Sequence, residues 1–257
     1  MGHKREIESR NRNNRNAINT TEKVSMDILD KGYVRLVNVM GSDVDVVNSA
    51  RVSFDKSVSS LGRTDFSLLD YLISHRHDSV LRHCAMSFEI YAPLFVARQW
   101  YKHAVSSTHW DDQNGWNESS RRYVTEEPEF YVPAPWRAAS DNKKQGSSGE
   151  VDPFLSHKHT DRLMSLTEIM MNAYNNAMED GIAPEQARLF LPAYGMYIRW
   201  RWTASLNALL HFCDLRLDSH AQWEIQQYAE GVYSLVKENF PATANSWEKL
   251  RRNNARG

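Results

Sequence analysis

AMSFEIYAPLFVARQWYKH, residues 85–103, changes its periodicity at a proline. Before Pro93 the apolar positions alternate, with Met86, Phe88 and Ile90 on one side, which predicts a half-buried strand over Ala85–Tyr91. From Pro93 onward the pattern predicts a helix over Pro93–His103, with the proline in the first turn, where its missing N–H leaves no bond unmade. A strand that runs into a helix without a glycine-rich turn points to an α+β domain rather than a doubly wound sheet.

Working outward, Tyr33–Met40 (YVRLVNVM) is rich in β-branched residues and predicts a strand. Ser67–Arg76 places Leu68, Leu69, Leu72 and Ile73 on one helical face. YIRWRW, residues 197–202, alternates arginine with Ile198, Trp200 and Trp202, a strand with one apolar and one cationic face. Leu163, Leu166, Met170, Ala173 and Ala177 keep helical spacing up to Gly181, which is placed to end the helix, and Pro184 opens a short one, PEQARLFL. Ser205–Leu215 predicts another helix. SHAQ at 219–222 matches a Ser-x-x-Gln capping box for a last helix whose apolar face runs from Ile225 through Tyr228, Ala229, Val232, Leu235 and Val236 toward Phe240. Between these lie Ala104–Glu129, without strong period, and a polar loop at 138–152. The organisation expected is a disordered polar tail at 1–25, a single domain at 26–250 and a frayed tail at 251–257.

With 41% hydrophobic and 25% charged residues, the 257-residue chain has the composition of a soluble globular protein. Its formal net charge of −1 gives no footprint for nucleic acid. No stretch approaches a membrane span, and MGHKREIESRNRNNRN lacks the apolar run of a signal peptide. Two cysteines, Cys84 and Cys213, form no disulfide framework, so a reducing, cytoplasmic compartment is expected.

Neither G-x-G-x-x-G nor G-x-x-x-x-G-K-[ST] is present, so a phosphate-bearing ligand would need arginines or helix N-termini. Arg122, Arg188, Arg201 and Arg216 are candidates, because a planar guanidinium grips phosphate or a pyrimidine edge through paired hydrogen bonds. Taken singly, most such arginines are solvated surface residues. His75 with His77, and His157 with His159, are spaced two apart; on a helix such rings diverge, and with no HExxH or paired CxxC no metal site is expected. Ser119 and Ser120 lack the G-x-S-x-G elbow, which leaves a serine hydrolase as a weak alternative to hydrogen-bond donors for an anion.

APLFVARQWYKHAVSS (92–107), NESSRRY (117–123), PEQARLFLP (184–192) and LRLDSHAQWEIQQYA (215–229), in this order, resemble the flavin-dependent thymidylate synthases, the ThyX family. MDILDKGYVRLVNVMG and ARVSFD extend the resemblance toward the amino terminus. It implies an α+β homotetramer, an antiparallel or mixed sheet packed with helices, and active sites between subunits. It also implies FAD as cofactor, dUMP as acceptor, methylenetetrahydrofolate and NADPH as co-substrates, dTMP as product, and no enzyme nucleophile. By position, Gln99, Lys102, Glu118, Ser120, Arg121, Arg122 and Arg188 match substrate-binding residues. Arg216 matches the arginine that contacts the uracil edge and stabilises negative charge on the ring, the catalytic role. His77, Ser79, Lys102, His103, Asn207 and His211 match the flavin and folate side.

Departures from the family pattern cluster on that side. Lys102-His103-Ala104 stands where the family has Arg-His-Arg, and Ser205-Leu206-Asn207 where it often has Asn-x-Arg. The spacer to Ser120 is longer than the family's, the excess being THWDDQNGW at 108–116. Loss of two guanidiniums should weaken FAD binding. Three readings stay open: FAD binding helped by Lys102 and by inserted residues such as His109 or Trp110; methylation or hydroxymethylation of another pyrimidine nucleotide such as UMP; or nucleotide binding without turnover.

Overall fold

The alternating stretches form the strands of one antiparallel sheet. A computed structural model describes residues 24–106, 116–119, 127–140 and 146–254. Its five-stranded sheet comprises β1 (Ser25–Ile28), β2 (Gly32–Met40), β3 (Ala85–Pro93), β4 (Trp116–Glu118) and β7 (Tyr197–Ser205), in the order β1-β2-β3-β7-β4. A separate hairpin joins β5 (Arg137–Ala139) to β6 (Ser147–Glu150), inside the stretch expected to be a polar loop.

Register explains the two-faced strands. Phe88 opposes Trp202 and Ile90 opposes Trp200, all buried on the core face. The intervening pairs, Ser87 with Thr203 and Glu89 with Arg201, lie on the other face. There Glu89 accepts from Tyr33 at 3.0 Å and Arg35 at 2.8 Å, with Arg201 3.4 Å away, so the cationic face of YIRWRW is partly neutralised by its neighbours.

The helices are α1 (Asp43–Arg51), α2 (Arg63–Ser74), α3 (Leu94–Trp100), α4 (Pro153–Glu179), the short α5 (Pro184–Ala187), α6 (Leu206–Arg216), α7 (Trp223–Asn239) and α8 (Pro241–Asn254). Pro93 differs from expectation: it is still extended (ψ 146°) and paired with Tyr197, so α3 starts one residue later. The helix also stops at Trp100, and a 3-10 turn, Tyr101–Ser106, carries the chain past His103. Ser205 caps α6, accepting from the Ala208 N–H at 3.2 Å.

SHAQ does not act as a capping box. The Asp218 carboxylate takes the His220 N–H at 2.8 Å and its carbonyl takes the Ala221 N–H at 2.9 Å, a tight turn that delays α7 until Trp223. From there the apolar face forms as expected, with Ile225, Tyr228, Ala229, Val232, Leu235, Val236 and Phe240 buried. Tyr228 reaches across to donate to the Tyr91 carbonyl at 2.8 Å, and a Cβ on Gly32 would lie 1.8 Å from that phenol oxygen. Arg251–Asn254, expected to be frayed, form the last turn of α8, while 255–257 lie outside the described residues.

Helix α4 starts where Asp152 accepts from the N–H groups of Phe154 and Leu155, before Pro153 at the first position. It ends at Gly181 (φ +82°), as expected. Part of its apolar surface is not covered: Leu166, Ile169 and Met170 are exposed, Ile169 by 64%, whereas Met171 and Tyr174 pack against the core and Ala177 is buried. Among the described residues no helix is long and apolar enough to cross a membrane.

Candidate active site

Trp100, the residue after Gln99, is the hub of the core. Its indole meets Trp200 and Trp202 edge-on, with ring centroids 5.5 and 5.3 Å apart, and stacks on Phe212 of α6 at 4.7 Å. Phe212 in turn meets His103 edge-on at 5.0 Å. Such aromatic pairs add about 0.5–1.5 kcal/mol each beyond their buried area, so the end of α3, the following turn and α6 are held together. The neighbours of this box are the polar residues of the site: Gln99, His103 and Arg216.

Arg216 Nε donates to Nε2 of His103 at 3.1 Å, and its Nη2 to the Gln99 carbonyl at 3.4 Å. Because Nε2 accepts, the imidazole proton sits on Nδ1. Burial, then the charges of Arg216, His211 and Lys102, lower the His103 pKa from 6.5 to about 4, so the ring is neutral near pH 7. Burial also lowers the pKa of Arg216, which stays a cation. The guanidinium is thus held on two sides and faces a cavity of about 610 Å³, lined by Gln99, Asp214, Arg216, Asp218, His220 and Gln222.

A chain of side chains leads away from that cavity. Gln99 Nε2 donates to Gln222 Oε1, and Gln222 Nε2 donates to Glu224 Oε2 at 2.7 Å. Burial first, and Glu224 next, push the Tyr131 phenol well above its ordinary value.

On the other side of α6, Asn207, His211 and Asp214 line a small cavity of about 90 Å³ with Arg76, Asp78 and Trp247. His77 and Ser79 are exposed at the start of the 3-10 turn Asp78–His83, which packs on α6. Arg76, in the left-handed region (φ +56°), brings its guanidinium to 3.9 Å from Asp214. Burial raises the Asp214 pKa, and Arg76 and Arg251 oppose that rise.

The structure therefore brings Gln99 and Arg216 to one cavity, with His103 bonded to Arg216, and Asn207 and His211 to the next, with His77 and Ser79 close by. Lys102 is exposed one residue before His103. Glu118 is exposed on edge strand β4, opposite Trp200. Arg188 is exposed at the end of α5, where its Nε donates to the Glu185 carbonyl at 3.2 Å, and it lines neither of these cavities. Ser120, Arg121, Arg122 and positions 108–115 of the insertion lie outside the described residues.

The competing chemistries gain nothing from the geometry. Ser119 Oγ accepts from the Arg199 N–H at 3.2 Å, a tie between β4 and β7. Burial raises the thiol of Cys84 to about 11 and that of Cys213 further, the reverse of an activated nucleophile. The rings of His75 and His77 flank Tyr71, and among the described residues no group of three or more His, Cys, Asp or Glu could hold a metal ion. Sequence reasoning missed Gln222, Glu224, Asp214, Asp218 and His220, although four of the five stand in the LRLDSHAQWEIQQYA stretch that carries the resemblance.

An α+β chain with a half-buried cation and an amide lining one cavity, and no activated nucleophile among its described residues, has the features of a ligand-binding site that would work through electrostatics. Residues 35–242 match the Thy1 family, thymidylate synthase complementing protein. The chain is 39% identical over 223 residues to the flavin-dependent thymidylate synthase of Thermosipho africanus (strain TCF52B), covering 87% of this chain and 93% of that protein. It is 38% identical over 226 residues to that of Thermus thermophilus, covering 88% of this chain and 79% of that one. Among solved structures it is similar to the UMP/dUMP methylase PolB from Streptomyces cacaoi bound with 5-Br dUMP (TM-score 0.71, 27% identity, 87% of this chain and 97% of that chain). The same methylase bound with 5-Br UMP gives TM-score 0.71 and 28% identity. The chain belongs to the flavin-dependent thymidylate synthase family, a family of methyltransferases.

Proposed function

We propose that this chain catalyses FAD-dependent reductive C5-methylation of dUMP to dTMP, with methylenetetrahydrofolate as carbon donor and NADPH as reductant. The observation that carries the reading is the guanidinium of Arg216, held by a neutral buried imidazole and directed at a cavity it shares with Gln99. A cation fixed at the uracil edge stabilises the negative charge that develops on the ring as C5 becomes nucleophilic, and this requires no covalent enzyme intermediate. The phosphate would be held by Arg122 and Arg188, with Glu118, Ser120, Arg121 and Lys102 completing the nucleotide site.

The donor set beside α6 suits a flavin: the His77 and His211 rings, the Ser79 hydroxyl, the Asn207 amide, the Lys102 cation next to His103 and the Arg76 cation next to Asp214. Arg76 keeps 61% of its side chain exposed and can offset part of the cationic charge absent at Ala104 and Asn207. When bound, FAD supplies the relay of carbon and hydride; the residues of this chain bind, orient and neutralise charge.

Homotetramer assembly with sites between subunits fits two features, the uncovered apolar face of α4 and the exposed Arg188 outside the Arg216 cavity. The two buried, unpaired cysteines fit a cytoplasmic setting. A second reading, in which UMP is also an acceptor, is favoured by the likeness to a protein described as a UMP/dUMP methylase. Mass spectrometry of products formed from dUMP and from UMP, each with FAD, methylenetetrahydrofolate and NADPH, separates the readings. In the same assay Arg216→Ala is expected to lose at least about 10²-fold in turnover while keeping its oligomeric state. Wild-type-like turnover in that variant would refute the assignment.

A further inference from the structure

We propose that Glu224 is a positioning residue that sets, through Gln222, which end of the Gln99 amide faces the nucleotide cavity, and thereby makes the site read uracil rather than cytosine. The inference rests on the nucleotide reading given above and assigns a role to two residues outside it.

The argument is one of hydrogen-bond polarity. An amide side chain has a donor end and an acceptor end that are close to isosteric, so its own shape does not choose between them. A carboxylate is acceptor-only. The Gln222 group that meets it must therefore be the NH₂ end, as the 2.7 Å contact from Nε2 shows. This turns Gln222 Oε1 toward Gln99, where it can only accept, so Gln99 places its own NH₂ there. What Gln99 keeps for the cavity is its carbonyl oxygen, an acceptor. Reversal of either amide would set carbonyl against carboxylate or carbonyl against carbonyl, each with partly buried groups left unpaired.

Arg216 contributes the opposite polarity. Its Nε and Nη2 are committed to His103 and to the Gln99 backbone, which leaves Nη1 donors for the cavity. A donor beside an acceptor complements the O4 and N3–H edge of uracil. It opposes cytosine, which has an amine at C4 and an acceptor at N3.

The test uses flavin-loaded enzyme and calorimetric titration with dUMP and with dCMP. Glu224→Gln nearly keeps shape but can offer either amide end to Gln222, so the Gln99 carbonyl is no longer enforced. The expected result is a dUMP-over-dCMP preference at least about ten-fold smaller than wild type, with flavin content unchanged. Gln222→Met, which removes the relay without touching Glu224, should do the same. In a Gln99→Met background the Glu224→Gln change should have no further effect on the ratio, since the amide it orients is gone. A folded Glu224→Gln or Gln222→Met protein with the wild-type ratio overturns the proposal. Wild-type enzyme that binds neither nucleotide overturns the underlying reading of the site and this one with it.

Discussion

One of the two contacts that hold Arg216 is to a single imidazole nitrogen, and the proton inventory of that ring decides whether the contact exists. His103 must be neutral for its Nε2 to accept from Arg216 Nε. Burial and the neighbouring charges of Arg216, His211 and Lys102 depress its pKa from 6.5 to about 4, so between those values the unfolded chain binds the proton and the folded chain does not. Stability from this group is therefore intact above about pH 6.5 and falls, by up to about 1.4 kcal/mol per pH unit, as pH drops toward 4. His103→Gln keeps an acceptor that does not titrate, so its urea unfolding free energy should lose less than the wild type between pH 7 and pH 4.5. Parallel curves for the two proteins would show that His103 is not the linked group. At this scale the resemblance pointed to Gln99, His103 and Arg216, which the fold brings within hydrogen-bonding reach of one another. Gln222 and Glu224 were hidden, because a glutamine at a helix start reads as surface, and Gln222 gains meaning only from Gln99, 123 residues away.

Helix α8 shows how an element can be stabilised from outside its own sequence. The Asp43 carboxylate, 7% exposed at the start of α1, accepts from the Ala242 N–H at 2.8 Å, the Thr243 N–H at 2.9 Å and the Thr243 hydroxyl at 2.6 Å. It satisfies the orphan donors at the N-terminus of α8 and places a negative charge at the positive end of the helix dipole. Asp43→Ala would leave these donors unpaired in a buried place, and should destabilise the protein by about 2–3 kcal/mol, read as a lower urea midpoint with unchanged m-value. An unchanged midpoint would mean that water replaces the cap at no cost. PATANSWEKLRRNN was not legible as a helix because its cap lies about 200 positions away and its apolar anchor, Trp247, has few periodic companions. Elements whose stability is written in their own periodicity, β3, β7 and the body of α7, were legible. Ends set by competing turns were not: the Asp218 carbonyl takes the Ala221 N–H, one of those open to a cap at Ser219.

At the scale of the whole molecule, Arg188 lies outside the cavity that Arg216 lines. Arg216 faces its cavity from the end of α6, whereas Arg188 projects from the end of α5 beside Leu189, Phe190 and Tyr194, which are 82%, 48% and 73% exposed. With the uncovered face of α4, these residues form an apolar surface of the kind that is buried when copies of a chain assemble. If that assembly carries Arg188 of one chain into the Arg216 cavity of another, the two arginines of a site belong to different chains. Arg188→Ala and Arg216→Ala enzymes should each be inactive alone. Mixed, dissociated and reassociated, they should recover activity, because a site that takes Arg216 from an Arg188→Ala chain and Arg188 from an Arg216→Ala chain is intact. Random mixing in equal amounts makes about a quarter of the sites of this kind, and so returns about a quarter of wild-type turnover. The same mixture without reassociation should stay inactive. Absence of recovery in oligomers verified to contain both chains would place the two arginines in one chain's site, and would require Arg188 to move there on binding.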